Sequence, residues 1–243
     1  MPLFNSSKFM ESAISSVIQQ DYSNWELIVV DDCSTDKSAE IAEQVSKNDS
    51  RIKVVRLSKN GGSAVARNAG INKANGKYIS FLDADDIWLP NKLSSQVLYM
   101  RENEVTFCFS DYRVINEDSE VIGERKFKGK VDYETLLLGN IIGCLTAIYD
   151  REELGTIFMP DIRMRQDYGL WLKILKETSY AHNCQMVLAE YRQYDSSLSA
   201  NKIRAASYTW ILYRDFEKIS LLKRIYIFSR YAVSGISQKI KEV

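Results

Sequence analysis

The sequence has little of several features that would identify its class at once. Its 243 residues include one histidine, His182, which excludes a zinc site built from two or three histidines. Lysine plus arginine and aspartate plus glutamate both number 32, so the formal charge is zero. This balance argues against a globally basic nucleic-acid-binding protein. Three prolines and eleven glycines are too few for a Pro/Gly-rich linker chain.

The cysteines and the apolar runs exclude further classes. Cys33, Cys108, Cys144 and Cys184 are scattered without a C-x-x-C pair, which argues against a zinc cluster or a dense disulfide framework. No apolar run approaches the roughly 18–20 residues that span a bilayer. The first residues also lack the basic start of a signal peptide. We therefore expect reduced thiols and a cytoplasmic protein.

Apolar runs that alternate with amphipathic segments predict the fold class. Three runs predict buried strands, at Glu26–Val30, Ile52–Leu57 and Tyr78–Leu82. Amphipathic segments predict helices over Ser7–Gln20, Asp36–Val45 and Gly61–Ala74. This alternation is typical of an α/β fold with a mostly parallel sheet and flanking helices.

The remaining segments give a looser pattern. We expect strands at Thr106–Ser110, Ile141–Tyr149 and Val187–Tyr191, a helix over Asp167–Lys176, and helices from Lys202 onward. No strand precedes Pro2, although a parallel α/β domain normally begins with one. The first strand of the sheet is therefore expected to be missing.

Two groups of acidic residues follow predicted strands. Asp31 and Asp32 end the first run, and Asp83–Asp86 follow the third. Ligands of open α/β sheets bind beyond the carboxyl ends of the strands, where a carboxylate can accept a base N–H or a ribose hydroxyl. Crowded carboxylates favour a bound cation, and hard oxygen ligands suit Mg²⁺ or Mn²⁺. Helix capping and an exposed acidic turn are the alternative interpretations.

Two further motifs lie at predicted helix starts. Gly61 and Gly62 precede Arg67, and such a turn lets a backbone approach an anion at a helix N-terminus, although a purely structural turn has the same sequence. Gln166 and Asp167 begin a later helix. A carboxylate there is a candidate general base if it faces the cleft, and an N-cap otherwise.

Taken together, these motifs resemble the family 2 glycosyltransferases, which have the GT-A nucleotide-sugar-binding fold, a Rossmann-like arrangement. Five segments in order carry the resemblance, spread between Pro2 and about Arg192. Pro2 to Asn5 resembles P-x-[YF]-N, Val30 to Asp36 resembles V-D-D-x-S-x-D, Asn60 to Asn68 resembles N-x-G-x-[SA]-x-A-R-N, Phe81 to Asp86 resembles F-L-D-x-D-D, and Gln166 to Leu172 resembles E-D-[YW]-x-L-W-L.

The resemblance implies a role for each matched residue. Phe4 would pack on the nucleotide base, Asp32 would hold a base N–H, and Arg67 would lie near the base or the diphosphate. The residues implied in nucleotide-sugar binding are Pro2, Phe4, Asn5, Asp31, Asp32, Gly61, Arg67, Asp83, Ala84 and Asp85. Asp83 and Asp85 would form the DxD pair that holds Mg²⁺ or Mn²⁺, with Asp85 as the direct ligand. Asp167 would be the catalytic base, and Gln166 stands where the family commonly has Glu.

The implied reaction is an inverting, metal-dependent sugar transfer. Its donor would be a nucleotide-diphosphate sugar, with UDP or dTDP favoured because a carboxylate at Asp32 suits a pyrimidine N3–H. Its acceptor would be a glycan or lipid-linked hydroxyl in surface polysaccharide, capsule or lipopolysaccharide assembly. Family members usually have a strand directly before P-x-[YF]-N, so we expect a true start several residues upstream, or a truncated product.

The end of the chain differs in charge from the rest. From Lys202 to Val243 there are nine Lys or Arg against three Asp or Glu. We divide the chain into a GT-A domain over residues 1–200 and a basic amphipathic helical extension over residues 201–243. The aromatic and basic segments Ala206–Lys218 and Leu221–Lys241 favour either peripheral contact with an anionic membrane or packing on their own domain or on a partner subunit.

Three other functions are open. A sugar nucleotidyltransferase would need a glycine-rich phosphate loop near the N-terminus, and residues 1–11 hold no glycine. A phospho-acceptor receiver domain is about half this length and leaves Asp83–Asp86 unexplained. A non-catalytic nucleotide-sugar-binding protein would keep the same binding residues without turnover.

Overall fold

The first three strands form a parallel sheet. The computed structural model describes residues 1–194 and 202–230. In this sheet β1 (Pro2–Leu3), β2 (Leu27–Asp31) and β3 (Ile52–Arg56) lie in that order and all pair in parallel. The parallel arrangement predicted for this half of the chain is confirmed, and β2 is buried along its whole length because helices cover both of its faces.

A second, mixed sheet follows. Its main path runs β4 (Tyr78–Ser80), β9 (Ile148–Asp150), β6 (Phe107–Ile115), β10 (Ala181–Arg192) and β5 (Ile87–Trp88). β7 (Val121–Arg125) pairs with β6, and β8 (Lys130–Val131) pairs with β10. β6 and β10 pair in parallel over most of their length. Both strands are longer than the predicted strands at Thr106–Ser110 and Val187–Tyr191.

The helices surround the sheets. They are α1 (Met10–Ile18), α2 (Ser38–Asn48), α3 (Ser63–Lys73), α4 (Lys92–Glu102), α5 (Tyr133–Leu137), α6 (Arg151–Leu154), α7 (Gln166–Glu177) and α8 (Lys202–Ile211), with a π-helical turn (Leu212–Phe216) and a helix over residues 221–230 after them. Within the described ranges, no helix combines the length and apolar character needed to cross a bilayer.

Alternation along β2 explains how helices pack on its two faces. Leu27 and Val29 pack with residues of α1, whereas Ile28 and Val30 pack against Ala66 of α3. Successive side chains of a strand point to opposite faces, so a continuous apolar run satisfies both helix layers. The second sheet has its own core around Trp171 of α7.

The expectation that the first strand is missing is wrong in part. Pro2 and Leu3 form a two-residue strand beside β2. The N–H of Val30 donates to the carbonyl of Met1 at 2.9 Å, and the N–H of Asp32 donates to that of Leu3 at 2.8 Å. These two bonds satisfy the end of β2 without a longer strand.

The single strand predicted at Ile141–Tyr149 is also wrong. A 3₁₀ turn over Cys144–Thr146 interrupts it, and only Ile148–Asp150 is extended. The backbone N–H and the hydroxyl of Thr146 both donate to the carbonyl of Gly143, at 2.9 and 2.8 Å, which closes the turn.

The described part of the C-terminal region packs on the body of the protein. Leu212, Tyr213 and Ile227 are buried in the core of the second sheet. The Tyr213 hydroxyl donates to the carbonyl of Leu137 at 2.6 Å and lies 2.8 Å from the Tyr168 hydroxyl. The division at residue 200 stays a prediction, and the part of the predicted tail helix beyond residue 230 lies outside the described residues.

Candidate functional site

The Asp32 carboxylate holds the glycine turn at the start of α3. Its two oxygens accept the backbone N–H groups of Gly61 and Gly62, each at 2.7 Å. Gly62 has φ of +83°, which favours glycine, and a Cβ on Gly61 would lie 2.8 Å from Val65. The carboxylate therefore joins the carboxyl end of β2 to the N-terminus of α3, where an anion is favoured.

The segment after β1 lies beside the loop that follows β2. Asn5, at φ of +48°, accepts the backbone N–H of Thr35 through Oδ1 at 2.8 Å. Asp31 is buried and accepts the N–H of Ser34 at 3.2 Å. Phe4 is 50% exposed, which leaves its ring free for a ligand. Pro2 lies in β1 and fixes the start of this segment.

Arg67 connects α3 to the acidic loop after β4. The guanidinium is buried, and its Nη2 forms an ion pair with Asp83 Oδ1. Burial alone would lower the pKa of Arg67, but the negative charges of Asp83 and, more weakly, Asp167 raise it above its usual value. Three candidate residues from distant parts of the chain therefore interact electrostatically.

The DxD residues lie in the loop between β4 and β5. Asp83 and Asp85 are half-buried, and Ala84 between them is buried. Asp85 Oδ2 accepts the hydroxyl of Tyr194 at 2.8 Å. Burial, followed by the negative charge of Asp83, raises the pKa of the Asp85 carboxyl. The mutual repulsion of these carboxylates makes the loop a place where a cation would be stabilised.

Arg192 organises the same loop from the end of β10. Its backbone N–H donates to Asp86 Oδ1 and its Nε donates to the carbonyl of Asp85, both at 2.9 Å. The guanidinium also lies 4.6 Å from the ring centroid of Phe9. Sequence reasoning did not assign roles to Arg192 or Tyr194, and the only available signal was their position after a predicted strand.

Asp167 is the second residue of α7. The N-cap position belongs to Arg165, so the simple N-cap interpretation of Asp167 is wrong. The preceding Gln166 donates from Nε2 to the hydroxyl of Ser63 at 2.6 Å. This bond fixes the start of α7 against the start of α3, next to the turn that Asp32 holds.

These contacts bring the separated motifs to one edge of the fold. Asp32 reaches the start of α3, Gln166 bonds to that start, and Arg67 of α3 binds Asp83. The larger of the two cavities described lies elsewhere, between β2 and β4, and of the candidate residues it is lined by Arg67 alone. Across residues 1–194 and 202–230, no three or more His, Cys, Asp or Glu side chains are grouped to hold a metal ion. The metal-binding role expected for Asp83 and Asp85 stays a prediction.

Comparison with known proteins shows to which family the chain belongs. The model of glycosyl transferase family 2 matches residues 1–155. The putative teichuronic acid biosynthesis glycosyltransferase TuaG of Bacillus subtilis (strain 168) is 40% identical over 242 residues, covering 98% of this chain and 95% of TuaG. The UDP-Glc:alpha-D-GlcNAc-diphosphoundecaprenol beta-1,3-glucosyltransferase WfgD of Escherichia coli is 39% identical over 239 residues, covering 98% of this chain and 92% of WfgD.

Comparison with solved structures shows which fold the chain shares. Staphylococcus aureus TarS 1-349 in complex with UDP-GlcNAc superposes with a TM-score of 0.73 at 18% identity, covering 95% of this chain and 70% of that one. The mannosyltransferase PcManGT from Pyrobaculum calidifontis, in complex with GDP-Man and Mn²⁺, gives a TM-score of 0.69 at 17% identity, covering 98% and 73%. These likenesses confirm the expected GT-A fold. The family match over residues 1–155, together with the 40% identity to TuaG, shows that the chain belongs to glycosyl transferase family 2.

Proposed function

We propose that the chain is an inverting glycosyltransferase that moves a sugar from a nucleotide-diphosphate donor, with UDP or dTDP sugars favoured, to an acceptor hydroxyl. The observation that carries the proposal is the convergence of Asp32, Arg67, Asp83 and Asp167 on one edge of the fold. WfgD is named for a UDP-Glc donor, and TarS has been crystallised with UDP-GlcNAc, which supports a uridine nucleotide here.

The donor would lie across the carboxyl ends of β2 and β4. Phe4 would stack on the base, and Asn5 and Asp31 would hold the surrounding loops in place. Asp32 already accepts two backbone N–H groups, but its carboxylate has further lone pairs for a base N–H. The N-terminus of α3 at Gly61 and Gly62 would face the diphosphate.

A divalent cation fits the residues of the DxD loop. Asp83 and Asp85 are hard oxygen donors of the kind that Mg²⁺ and Mn²⁺ prefer. Arg67 uses one oxygen of Asp83 and Tyr194 uses one oxygen of Asp85, so the second oxygen of each remains for the ion. When bound, the ion would neutralise the charge that develops on the departing diphosphate. A relative of the same fold has been crystallised with Mn²⁺.

Asp167 is the proposed general base. Its carboxylate would take the proton of the acceptor hydroxyl as that oxygen attacks the anomeric carbon. The bond between the anomeric carbon and the diphosphate breaks on the opposite face, so one displacement inverts the configuration. Arg67, whose pKa is raised by the negative charge of Asp83 and, more weakly, by that of Asp167, would supply a positive charge beside the acidic loop and the base.

The acceptor is proposed to be a lipid-linked glycan at the cytoplasmic face of a membrane. TuaG is named for teichuronic acid biosynthesis, and WfgD is named for an alpha-D-GlcNAc-diphosphoundecaprenol acceptor. In the helix over residues 221–230, Leu222 is 82% exposed and Arg230 is exposed, while Lys223 forms an ion pair with Glu134 at 2.8 Å. An apolar and basic surface of this kind suits the surface of an anionic bilayer.

Flotation with phosphatidylglycerol liposomes tests whether the protein binds an anionic membrane. No binding at low salt would exclude this membrane contact.

Release of nucleotide diphosphate tests the function. A panel of UDP, dTDP and GDP sugars is incubated with Mn²⁺ and a synthetic GlcNAc-diphospholipid, and the released nucleotide and the lengthened acceptor are both quantified. We expect release and transfer in equal amounts with one uridine or thymidine sugar. Donor binding without release or transfer would favour a non-catalytic nucleotide-sugar-binding protein.

A further inference from the structure

The two short strands that flank the DxD loop are both bonded to one segment of the chain. β4 ends at Ser80 and β5 ends at Trp88. The Ser80 hydroxyl donates to the carbonyl of Ala147 at 2.6 Å, and Trp88 Nε1 donates to the carbonyl of Leu145 at 2.9 Å. Both ends of the loop are therefore attached to the segment that contains the 3₁₀ turn Cys144–Thr146.

A third side chain bonds to the carbonyl between these two. Nε2 of Gln96, in α4, donates to the carbonyl of Thr146 at 2.9 Å. The carbonyls of three successive residues, 145 to 147, thus accept hydrogen bonds from β5, α4 and β4. Gln96 and Trp88 are buried, so water does not compete for these bonds and an unpaired polar atom there would be costly.

Lys92 contacts all three of these donors. Its Nζ donates to Gln96 Oε1 at 2.7 Å and to Ser80 Oγ at 3.0 Å, and it lies 4.1 Å from the centroid of the Trp88 ring. The side chain is completely buried at the first residue of α4. We call Lys92, Ser80, Trp88 and Gln96 the Lys92 cluster. Every polar side-chain atom of the cluster has a partner among the described residues.

A buried amine is an unfavourable choice if the cluster serves stability alone. Burial lowers the pKa of Lys92 to about 7, and the thiols of Cys108, Cys184 and Cys144 oppose this only in part. An apolar side chain of similar length would avoid the cost of desolvating the amine. It would not provide directed hydrogen bonds, and a fully satisfied buried network rigidifies a core in one arrangement. The contacts of Lys92 therefore contribute mainly to the relative position of the groups that it joins.

The groups joined in this way lie beside the proposed chemistry. Cys144, the first residue of the turn, is buried, and burial raises the pKa of its thiol. The charge of Arg67 opposes this shift, and the charges of Asp83 and Asp167 add to it. The turn is therefore within electrostatic range of the DxD loop and of the proposed base.

We propose that Lys92 is a positioning residue for sugar transfer, which holds both ends of the DxD loop against the turn Cys144–Thr146. Asp83 and Asp85 are thereby kept in one arrangement before a donor binds, so that binding does not have to order the loop. This assignment rests on the proposed function, because it treats the DxD loop as the part of the site that receives the donor. Lys92 acts through the strands that flank the loop and does not touch the donor itself.

Three variants test the assignment. Lys92→Met keeps the length of the side chain and removes its two hydrogen bonds. Ser80→Ala is a milder change at the same contact and serves if the first variant does not fold. Tyr213→Phe is the matched control, because its buried hydroxyl also takes part in two hydrogen bonds, with Leu137 and Tyr168, in the core of the second sheet.

Two measurements separate positioning from overall stability. Amide hydrogen exchange is measured without nucleotide or metal and compares two backbone amides. The N–H of Asp86 donates to the carbonyl of Asp83 at 3.2 Å inside the DxD loop, whereas the N–H of Gly61 donates to Asp32 outside it. Titration calorimetry then gives the affinity for UDP in the presence of Mn²⁺.

The expected results are local to the loop. In Lys92→Met, exchange at Asp86 should become about tenfold faster relative to Gly61 and the affinity for UDP and Mn²⁺ about tenfold weaker, as when a residue that orients metal ligands is lost. Ser80→Ala should change both quantities in the same direction. Tyr213→Phe should change each by less than about twofold, because the control site is independent of the loop.

Three results would overturn the proposal. Unchanged exchange at Asp86 in Lys92→Met would show that the loop does not depend on this side chain. Equal acceleration at Asp86 and Gly61 would show that Lys92 contributes to overall stability alone. Faster exchange at Asp86 with unchanged affinity for UDP and Mn²⁺ would show that donor binding does not use the fixed loop. If the native protein binds no nucleotide, the proposed function fails instead, and the exchange comparison still decides whether Lys92 fixes the loop.

Discussion

Replacement of Asp32 by Asn should destabilise the protein much more than the same replacement at Asp31. Both carboxylates are almost completely buried, 3% and 4% exposed. Asp32 uses both oxygens to accept backbone N–H groups, whereas among the described residues Asp31 accepts a single N–H, from Ser34. An Asn side chain keeps one acceptor oxygen and places an NH₂ group where the other oxygen was.

The magnitudes follow from this difference. In Asp32→Asn one charge-assisted bond is lost and a backbone N–H is left facing another donor, which together cost about 3 kcal/mol. For a chain of this size that lowers the unfolding midpoint by about 6–12 °C. In Asp31→Asn the single bond is retained, so the expected loss is below about 1 kcal/mol, or less than about 4 °C.

Differential scanning calorimetry without nucleotide or metal measures both midpoints. Equal decreases in the two variants would refute the reasoning, because the stability would then depend on buried charge and not on the turn that Asp32 holds. Hydrogen exchange at Gly61 and Gly62 provides an independent check, since these amides should exchange faster only in the Asp32 variant.

Three further changes have distinct expected results. Burial lowers the pKa of Lys92 from 10.5 to about 7. Between pH 7 and pH 10.5 the unfolded chain therefore binds more protons than the folded chain, and the free energy of unfolding rises with pH. Calorimetry over this pH range should show that Lys92→Met removes the rise. Phe4→Ala should weaken donor binding in titration calorimetry by about 1–3 kcal/mol, as expected for lost base stacking, and leave the unfolding midpoint unchanged because the ring is exposed. Tyr194→Phe removes the hydroxyl that donates to Asp85. The Mn²⁺ concentration that gives half-maximal transfer should therefore shift. An unchanged Mn²⁺ dependence would exclude a role for this hydroxyl near the ion.

Local patterns were enough to predict the first half of the fold. The run that forms β2 is apolar because both of its faces are covered, whereas β3 and β4 are only partly buried. Acidic residues end β2 and closely follow β4 in the sequence. A short stretch of sequence therefore contains both the strand and the site residues at its end. The family resemblance derived from these segments is confirmed by the match over residues 1–155.

Contacts between distant segments were not predictable in the same way. The two-residue β1 exists only because β2 offers it hydrogen-bonding partners. Arg192 and Tyr194 reach Asp85 across more than a hundred residues of chain. Nothing in the local sequence indicates that the Asp32 oxygens bind Gly61 and Gly62, since that bond depends on how α3 packs beside β2.

The assignment of Asp167 tests the central claim most directly. Single-turnover transfer and donor affinity are measured for the native protein and for Asp167→Asn, with Mn²⁺ and the nucleotide sugar that the panel identifies. We expect donor affinity to change by less than about twofold and the transfer rate to fall by at least about 100-fold, the contribution typical of a general base. Near-native transfer with donor binding intact would contradict the proposed chemistry of this site.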